Sequence, residues 1–385
     1  MASDKTIELL GELIAFDTTS RNSNLPLIRH VESYLDGLGI AHERAAGAHG
    51  DKSNLFATIG PADRPGLVLS GHTDVVPVDG QRWSTDPFRL TRRDARLYGR
   101  GACDMKGFLA VCLALAPEMA AAELRIPIHF AFSYDEEVGC LGVRELLEML
   151  AARPVKPLGC IVGEPTDMQV VIAHKSKRSL RVDVRGTGGH SSRAPEAVNA
   201  VEYAARLVTR TTEIGRRLAL SGLKDSLYDI PHSTAHVGVF HGGVALNIVP
   251  NEAVVELEFR VLPEEDADAL VEEFRAYAAE LEAEMQARDP RAAVDVSMKS
   301  EFPGLATAPD ADIVTLVKRL AGRNEHAKVA YGTEAGLFVE TAGIPTVVCG
   351  PGSIAQAHRA DEYVEEAQLA QCEAFMRRLI RHCAS

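Results

Sequence analysis

The apolar positions in the first half of the chain follow two spacings. Four segments have apolar residues at helical spacing or are rich in Ala and Leu, and they predict helices: residues 6–16, 27–38, 108–122 and 143–152. Three short, continuous apolar runs predict buried strands: residues 66–70, 128–133 and 159–163. Helices and strands that alternate in this way favour an α/β fold, in which helices cover a mixed or parallel sheet.

The pattern changes near residue 175. There Leu180, Val182 and Val184 alternate with charged residues, which indicates a strand with one buried face. The segment predicts, in order, a strand, a helix, two strands, a helix and a strand: residues 179–186, 199–217, 234–240, 253–260, 264–285 and 292–298. This order is typical of a split-βαβ, or ferredoxin-like, domain.

From about residue 300 the first pattern returns, with a predicted helix at residues 311–320 and a predicted strand at residues 344–349. A chain of 385 residues is long enough for roughly two domains. We therefore predict a discontinuous first domain, residues 1–175 and 297–385, that carries an inserted second domain, residues 176–296.

The composition excludes several classes of partner. The net charge is −13 and no dense run of Lys and Arg occurs, which argues against nucleic-acid binding. The N-terminus lacks the pattern of a secretory signal, and no apolar run reaches the roughly 20 residues that span a bilayer. Seven scattered cysteines without a CxxC pair fit a reducing compartment. We expect a cytoplasmic protein with no membrane partner.

Each predicted buried strand is followed by one or two residues with a carboxylate or an imidazole side chain. His72 and Asp74 come after the first strand, Glu136 and Glu137 after the second, and Glu164 after the third. In open α/β sheets, ligands collect at the carboxyl ends of the strands. Imidazole nitrogen and carboxylate oxygen together suit Zn²⁺. Asp74 is spaced to hold the second ring nitrogen of His72, and one of the two adjacent glutamates is free to act as a general base.

Two further candidates lie outside these strand ends. Asp104 lies in a glycine-flanked stretch, where its two oxygens are suited to bridging two cations, although an Asp before a helix also serves as an N-cap. His358 follows a Gly-Pro-Gly-Ser segment after the chain has returned to the first domain. Each candidate alone has a structural alternative, such as a surface turn or a solvated acidic loop. Taken together, they predict a two-metal hydrolase.

The motifs that carry these residues resemble one known family. They lie, in order, at residues 69–77, 97–107, 135–139, 163–166, 187–192 and 350–358. They are similar to those of the di-zinc amidohydrolases and exopeptidases, which include acetylornithine deacetylase, succinyl-diaminopimelate desuccinylase, aminoacylase and glutamate carboxypeptidase. Within that family, residues 331–336 and 349–364 resemble acetylornithine deacetylases.

The resemblance implies a role for each candidate. It implies two Zn²⁺ ions, or Co²⁺ or Mn²⁺ in their place, with His72, Asp104 and Glu164 as ligands of one and Asp104, Glu137 and His358 as ligands of the other. It makes Glu136 the general base and Asp74 the partner of His72.

The resemblance also implies roles for the inserted domain as a dimerisation and lid domain of a homodimer. His190 would reach a neighbouring subunit's active site and stabilise the oxyanion, unless it is only a turn residue. Asn247 and Arg260 would bind the substrate, and the alternative for Arg260 is an exposed strand-end position. Glu334 would face the distal amine of the substrate.

The activity implied is metal-dependent hydrolysis of the amide of an N-acyl amino acid. The specific expectation is N²-acetyl-L-ornithine, converted to L-ornithine and acetate in arginine biosynthesis. The alternatives are a related enzyme (succinyl-diaminopimelate desuccinylase, N-acetylcitrulline deacetylase, aminoacylase or carboxypeptidase) or, more remotely, a non-catalytic binding protein stabilised by metal.

Overall fold

The computed structural model describes all 385 residues, which form two compact units. The first unit comprises Met1–Ala173, Leu305–Lys328 and Thr333–Ser385. The second unit comprises His174–Gly304 and Val329–Gly332, so it is inserted into the first along the chain.

The chain forms nine α-helices and eighteen strands. The helices are α1 Asp4–Ile14, α2 Leu25–Gly37, α3 Lys106–Ala121, α4 Val143–Ala152, α5 Ala200–Ser221, α6 Ala267–Gln286, α7 Asp312–Ala321, α8 Ala335–Ala342 and α9 Glu366–Ala384. The strands are β1 Ala41–Ala46, β2 Ser53–Ile59, β3 Leu67–His72, β4 Thr91–Arg93, β5 Arg96–Tyr98, β6 Ile128–Ser133, β7 Gly159–Pro165, β8 Val171–His174, β9 Ser176–Arg185, β10 Gly189–His190, β11 Thr234–Gly242, β12 Ile248–Val249, β13 Glu252–Val261, β14 Ala293–Phe302, β15 Leu305–Ala306, β16 Ala327–Val329, β17 Thr346–Gly350 and β18 Tyr363–Glu365.

A nine-stranded mixed sheet organises the first unit, in the order β1-β2-β6-β3-β7-β17-β8-β15, with β16 paired to β8. Its central strands β6, β3, β7 and β17 are parallel to one another, whereas β2 is antiparallel to both of its neighbours, β1 and β6. Every residue of β3, β6 and β7 is buried, as expected for strands that are covered on both faces. The mixed, helix-covered sheet confirms the predicted fold class.

The second unit is an antiparallel sheet, in the order β11-β13-β9-β14, packed on α5 and α6. Alternate residues of β9, such as Leu180 and Val182, enter one apolar core with residues of both helices. The side chain of Asn199 caps the first N–H groups of α5, and Asp266 does the same for α6. The order β-α-β-β-α-β confirms the predicted split-βαβ architecture.

Two predicted boundaries in the second unit differ from the structure. The helix predicted from residue 264 begins at Ala267, because the Asp266 cap fixes its start. The domain boundary predicted after residue 296 falls inside β14, which stays paired with β9 as far as Phe302. The second unit therefore continues to Gly304. No helix of the chain has both the length and the apolar character needed to cross a membrane.

Candidate active site

The ends of adjacent parallel strands deliver most of the candidate residues. His72 is the last residue of β3, and Glu164 lies near the end of β7. Gly163, just before Glu164, lies close to α3, since a Cβ atom there would be 2.1 Å from the ring of Phe108. Only glycine lets β7 lie this close to the helix. Parallel strands thus bring side chains that are distant in the sequence to one edge of the sheet.

Asp104 lies between two histidines and offers each a different oxygen. Its Oδ1 is 3.0 Å from His72 Nε2, and its Oδ2 is 3.3 Å from His358 Nε2. Glu164 Oε1 lies 3.7 Å from the same nitrogen of His72, and Glu137 Oε2 lies 3.0 Å from that of His358. The five predicted ligands therefore form two neighbouring sets, one around each histidine, that share Asp104.

Glu136 belongs to the same cluster. One of its carboxylate oxygens lies within 4.8 Å of ligand atoms of both His72 and Glu164. The Cys140 thiol donates to Glu136 Oε1 at 3.4 Å. This position suits a general base beside the candidate metal ligands, and it also suits a sixth ligand.

The electrostatics of the carboxylates favour cation binding. Burial, reinforced by neighbouring acids, raises the pKa of Glu136 to about 8 and that of Glu137 to about 7. Burial and the charge of Asp104 also raise the pKa of Glu164 well above its usual value. Several carboxylates packed out of water repel one another, and divalent cations relieve this repulsion. The donor set, imidazole nitrogens with carboxylate oxygens, fits Zn²⁺, Co²⁺ or Mn²⁺.

The pKa values of the two histidines are also raised, but here the cause is hydrogen bonding to carboxylates rather than burial. Hydrogen bonds to Asp104 and Glu137 raise the pKa of His358 to about 10. Although burial opposes protonation of His72, its hydrogen bond to Asp104 raises its pKa well above the usual value. Burial likewise opposes ionisation of Asp104, but both histidines hold its pKa below the ordinary range. A cation that binds these imidazoles would displace any proton on the nitrogen it binds.

Asp74 supports this cluster mainly through backbone groups. Its Oδ1 and Oδ2 accept hydrogen bonds from the N–H groups of Glu136, at 3.1 Å, and Glu137, at 3.3 Å. His72 Nδ1 lies 2.9 Å from the backbone oxygen of Asp74 and 3.6 Å from its Oδ1. The Ser20 hydroxyl donates to Oδ2 at 2.7 Å. Asp74 therefore positions the loop of the two glutamates as well as the ring of His72.

Glu334 occupies a different position from the expected one. It is 1% exposed, and its two oxygens accept hydrogen bonds from the hydroxyls of Ser70, at 2.6 Å, and Ser133, at 2.7 Å. Both carboxylate oxygens are thus engaged inside the unit, near the ends of β3 and β6. This arrangement does not favour the predicted contact with a substrate amine, because that contact needs an accessible oxygen.

The remaining predicted residues lie in the second unit. His190 is exposed on β10, and its Nδ1 lies 2.8 Å from the Ser192 hydroxyl. The short β10–β12 ladder brings it beside exposed Asn247, whose carbonyl accepts from the N–H of Ser191 at 3.0 Å. Arg260, on β13, donates to the Glu258 carboxylate at 3.1 Å. The second unit thus brings His190 and Asn247 together.

Sequence reasoning missed residues that support the cluster from behind. Lys52 Nζ donates to both oxygens of Asp135, at 2.6 and 2.8 Å, beside the Glu136–Glu137 pair. Glu362 is another buried acid, bonded to the loop of Asp104. Lys52 lies in none of the motifs, and Glu362 lies within residues 349–364, where the pattern assigns it no role. Only their long-range partners identify them.

Comparison with known proteins agrees with this site. A sequence profile of Peptidase family M20/M25/M40 matches residues 68–382. Acetylornithine deacetylase of Myxococcus xanthus is 36% identical over 381 residues, which cover 97% of this chain and 96% of that protein. Acetylornithine deacetylase of Proteus mirabilis is 33% identical over 386 residues, covering 98% and 96%.

Solved structures share the fold at lower identity. An M20-family metallo-carboxypeptidase from Sulfolobus solfataricus superposes with a TM-score of 0.79 at 19% identity, covering 99% of this chain and 100% of that chain. A dinuclear metal-binding M20 peptidase from Bacillus subtilis gives 0.66 at 16% identity, covering 97% and 96%. Fold and site define a metal-dependent hydrolase. The chain belongs to Peptidase family M20/M25/M40.

Proposed function

We propose that this chain is an N-acyl-amino-acid amidohydrolase that converts N²-acetyl-L-ornithine to L-ornithine and acetate. The amide-hydrolase chemistry is supported above all by Asp104, whose two oxygens face two separate histidines. The choice of substrate is supported by near-full-length likeness to acetylornithine deacetylases. The proposal includes a cytoplasmic location and a place in arginine biosynthesis.

The proposed chemistry assigns each residue of the cluster a task. His72, Asp104 and Glu164 would hold one divalent cation, and Asp104, Glu137 and His358 would hold the second. Such cations polarise a carbonyl and lower the pKa of water. Glu136 accepts the proton of the water that attacks the amide carbon, and it then passes this proton to the departing amine. The raised pKa of Glu136, about 8 from burial, suits a group that must both take and give a proton.

His190 is proposed to act in a homodimer, as the donor to the oxyanion in the partner subunit's site. Its exposure and its position on the short β10 strand support this role, because the side chain is accessible to a second chain. Asn247, which lies beside it, would bind the same substrate, as would Arg260 through a bidentate contact with a carboxylate.

A substrate panel tests the activity. Protein reconstituted with Zn²⁺ or Co²⁺ is assayed for kcat/KM on N²-acetylornithine, N²-acetylcitrulline, other N-acetyl amino acids, N-succinyl-diaminopimelate and dipeptides. We expect a maximum at acetylornithine that a chelator abolishes. A maximum on another member keeps the amidohydrolase chemistry and refutes the substrate. No turnover on any member, with metal bound, would favour a binding protein.

A mixing experiment tests the trans role of His190. Glu136→Gln and His190→Ala chains are each expected to be nearly inactive. If His190 serves the partner's site, mixed dimers recover about a quarter of wild-type activity, because half of the random dimers contain one competent site. Sedimentation measures whether the chains in the mixture are dimeric. Activity of the mixture that equals the sum of its components would refute the trans role.

A further inference from the structure

Glu362 is a buried carboxylate whose hydrogen bonds converge on the Asp104 loop. It is 1% exposed. Its Oε1 accepts from the backbone N–H groups of Cys103, at 2.9 Å, and Asp104, at 3.0 Å. Its Oε2 accepts from the N–H of Gly101, at 3.0 Å, and from Arg100 Nη1, at 2.7 Å. Four donors therefore converge on the two oxygens of one side chain, and three of them belong to the backbone of this loop.

Arg100 extends the same network to the His358 loop. This guanidinium is also 1% exposed, and its Nη2 donates to Gln81 Oε1 at 2.5 Å. The other end of the Gln81 amide donates from Nε2 to the backbone oxygen of His358 at 3.0 Å. His358 has a φ of +62°, a left-handed backbone conformation that residues other than glycine rarely adopt. The network thus supports an uncommon backbone conformation at this histidine.

The two loops joined in this way carry side chains that meet. Asp104 Oδ2 lies 3.3 Å from His358 Nε2. Glu362 itself lies four positions after His358, and its backbone oxygen accepts from the N–H of Gly99. The segment that carries one histidine of the cluster is therefore bonded to the segment that carries Asp104 through both the side chain and the backbone of Glu362.

We infer that Glu362 is a positioning residue of the metal centre. It fixes the backbone of Asp104 directly and that of His358 through Arg100 and Gln81, and so sets the spacing between the two ligand sets. The inference rests on the proposed function in so far as the cluster holds two cations. Glu362 bonds to backbone N–H groups and a guanidinium, and so acts through the ligands rather than on a substrate.

The chemistry of these bonds requires a carboxylate. In Glu362→Gln one oxygen becomes an NH₂ group, which would face N–H donors and leave Arg100 buried without its ion partner. A matched control exists in the same unit: Glu373 is 4% exposed and accepts from the N–H of Ser3 and the hydroxyl of Thr6. Glu373→Gln removes a comparable buried carboxylate outside the cluster.

The experiment measures cation binding directly. Metal-free wild type, Glu362→Gln and Glu373→Gln are titrated with Zn²⁺ against a competing chelator, and with Co²⁺ followed by its visible absorption. All are measured at a temperature where circular dichroism shows them folded. For Glu362→Gln we expect an affinity lower by about 10- to 100-fold and an altered Co²⁺ spectrum, as for other residues that orient metal ligands. Glu373→Gln is expected to lower the melting temperature and to bind both metals as wild type does.

Two results distinguish a failure of the proposed function from a failure of this inference. If wild type binds no cation, the proposed function fails. If wild type binds two and Glu362→Gln binds two with the same affinity and spectrum, this inference alone is overturned, and Glu362 contributes only to stability.

Gln81→Glu provides a test that does not depend on the folding of Glu362→Gln. It keeps the oxygen that accepts from Arg100 and from Trp83 Nε1, and it replaces the donor to His358 by a carboxylate oxygen that repels the His358 carbonyl oxygen. We expect this variant to hold one Zn²⁺ per chain tightly and to lose affinity at the other position. Unchanged affinity at both positions would contradict the proposed link to His358.

Discussion

The two compact units differ in where the charged side chains near their sheets lie. In the first unit the strands β3, β6 and β7 are buried along their whole length, and charged side chains such as Asp104 and Glu164 are buried with them. In the second unit β9 and β13 alternate buried and partly exposed residues. Leu180 and Val182 enter an apolar core, while Arg181 and Asp183 pair with each other on the other face.

The difference shows what each kind of sheet provides. A sheet covered on both faces offers a dry edge where carboxylates can be held close together, at an electrostatic cost that bound cations offset. A sheet with one wet face keeps its charged side chains on that face and derives its stability from its apolar core. Substitutions in the buried acidic cluster of the first unit should therefore affect chemistry, and substitutions in the apolar core of the second unit should affect stability.

The largest expected effect lies in the charged cluster. Glu136→Gln should lower kcat by about 10²–10⁴-fold, because the amide cannot accept the proton of the attacking water. Steady-state kinetics and metal analysis of the same sample measure it. Glu373→Gln, outside the cluster, serves as the control and should keep its activity. A Glu136→Gln enzyme that remains active, or that loses a metal, would exclude the role of base.

The next effect tests the apolar core of the second unit. Phe274 is fully buried, with its ring 6.4 Å from that of Phe259 in an edge-on arrangement. Phe274→Ala should lower the free energy of unfolding by about 3–5 kcal/mol, because it leaves a cavity. Urea denaturation measures the loss, and the Zn²⁺ bound per folded chain should be unchanged. A loss of metal at full folding would contradict the separation between the units.

A pH series tests the buried histidine of the second unit. His174 is fully buried, its Nε2 has no hydrogen-bond partner, and burial lowers its pKa to about 4. Between pH 6.5 and pH 4 the unfolded chain binds a proton that the folded chain excludes, so stability falls as the pH falls. From pH 7 to pH 4.5 this amounts to about 2–3 kcal/mol.

Urea denaturation of wild type and His174→Gln at both pH values isolates this contribution. The variant should lose less stability on acidification than wild type does, by about that amount, since it has no imidazole to protonate. Equal losses in the two proteins would show that His174 is protonated in the folded state.

The smallest effect is expected on the solvated face of the second unit. Lys299 Nζ lies 2.6 Å from Glu256 Oε2, and the Lys299 side chain is 54% exposed. Lys299→Ala should change the free energy of unfolding by less than about 1 kcal/mol, because solvent screens the pair. The same denaturation assay at low and high salt checks it. A larger loss would mean that this face is less solvated than the alternating pattern indicates.

Continuous apolar runs and helical spacing predicted the elements of the second unit's split-βαβ core and many of the first unit's elements, but not β2, α8 or α9. The strand predicted at residues 128–133 matches β6, and the helix predicted at residues 143–152 matches α4. The prediction omitted β1, most of whose residues are exposed, because an edge strand of this kind has little apolar signal. It also stopped short of the end of β14, where partly exposed polar residues continue the pairing with β9.

The candidate site also has a part that the sequence predicted and a part that only the structure shows. The motifs around His72, Asp104 and His358 identified the cluster, because unusual groupings of His, acids and Gly are visible along the chain. Glu334 was assigned to the substrate from its motif alone, yet its oxygens bond to Ser70 and Ser133 inside the unit. The direction of a side chain depends on strands that come from distant parts of the sequence.

By itself, the sequence determined the fold class, the family and the residue types of the candidate site, since these depend on local spacing and composition. Only the tertiary structure decided that Asp104 offers one oxygen to each histidine, and that Glu362 and Arg100 lie buried behind it. The burial of a charge depends on partners far along the chain. Residues 100 and 362 become an ion pair only when the fold brings their loops together.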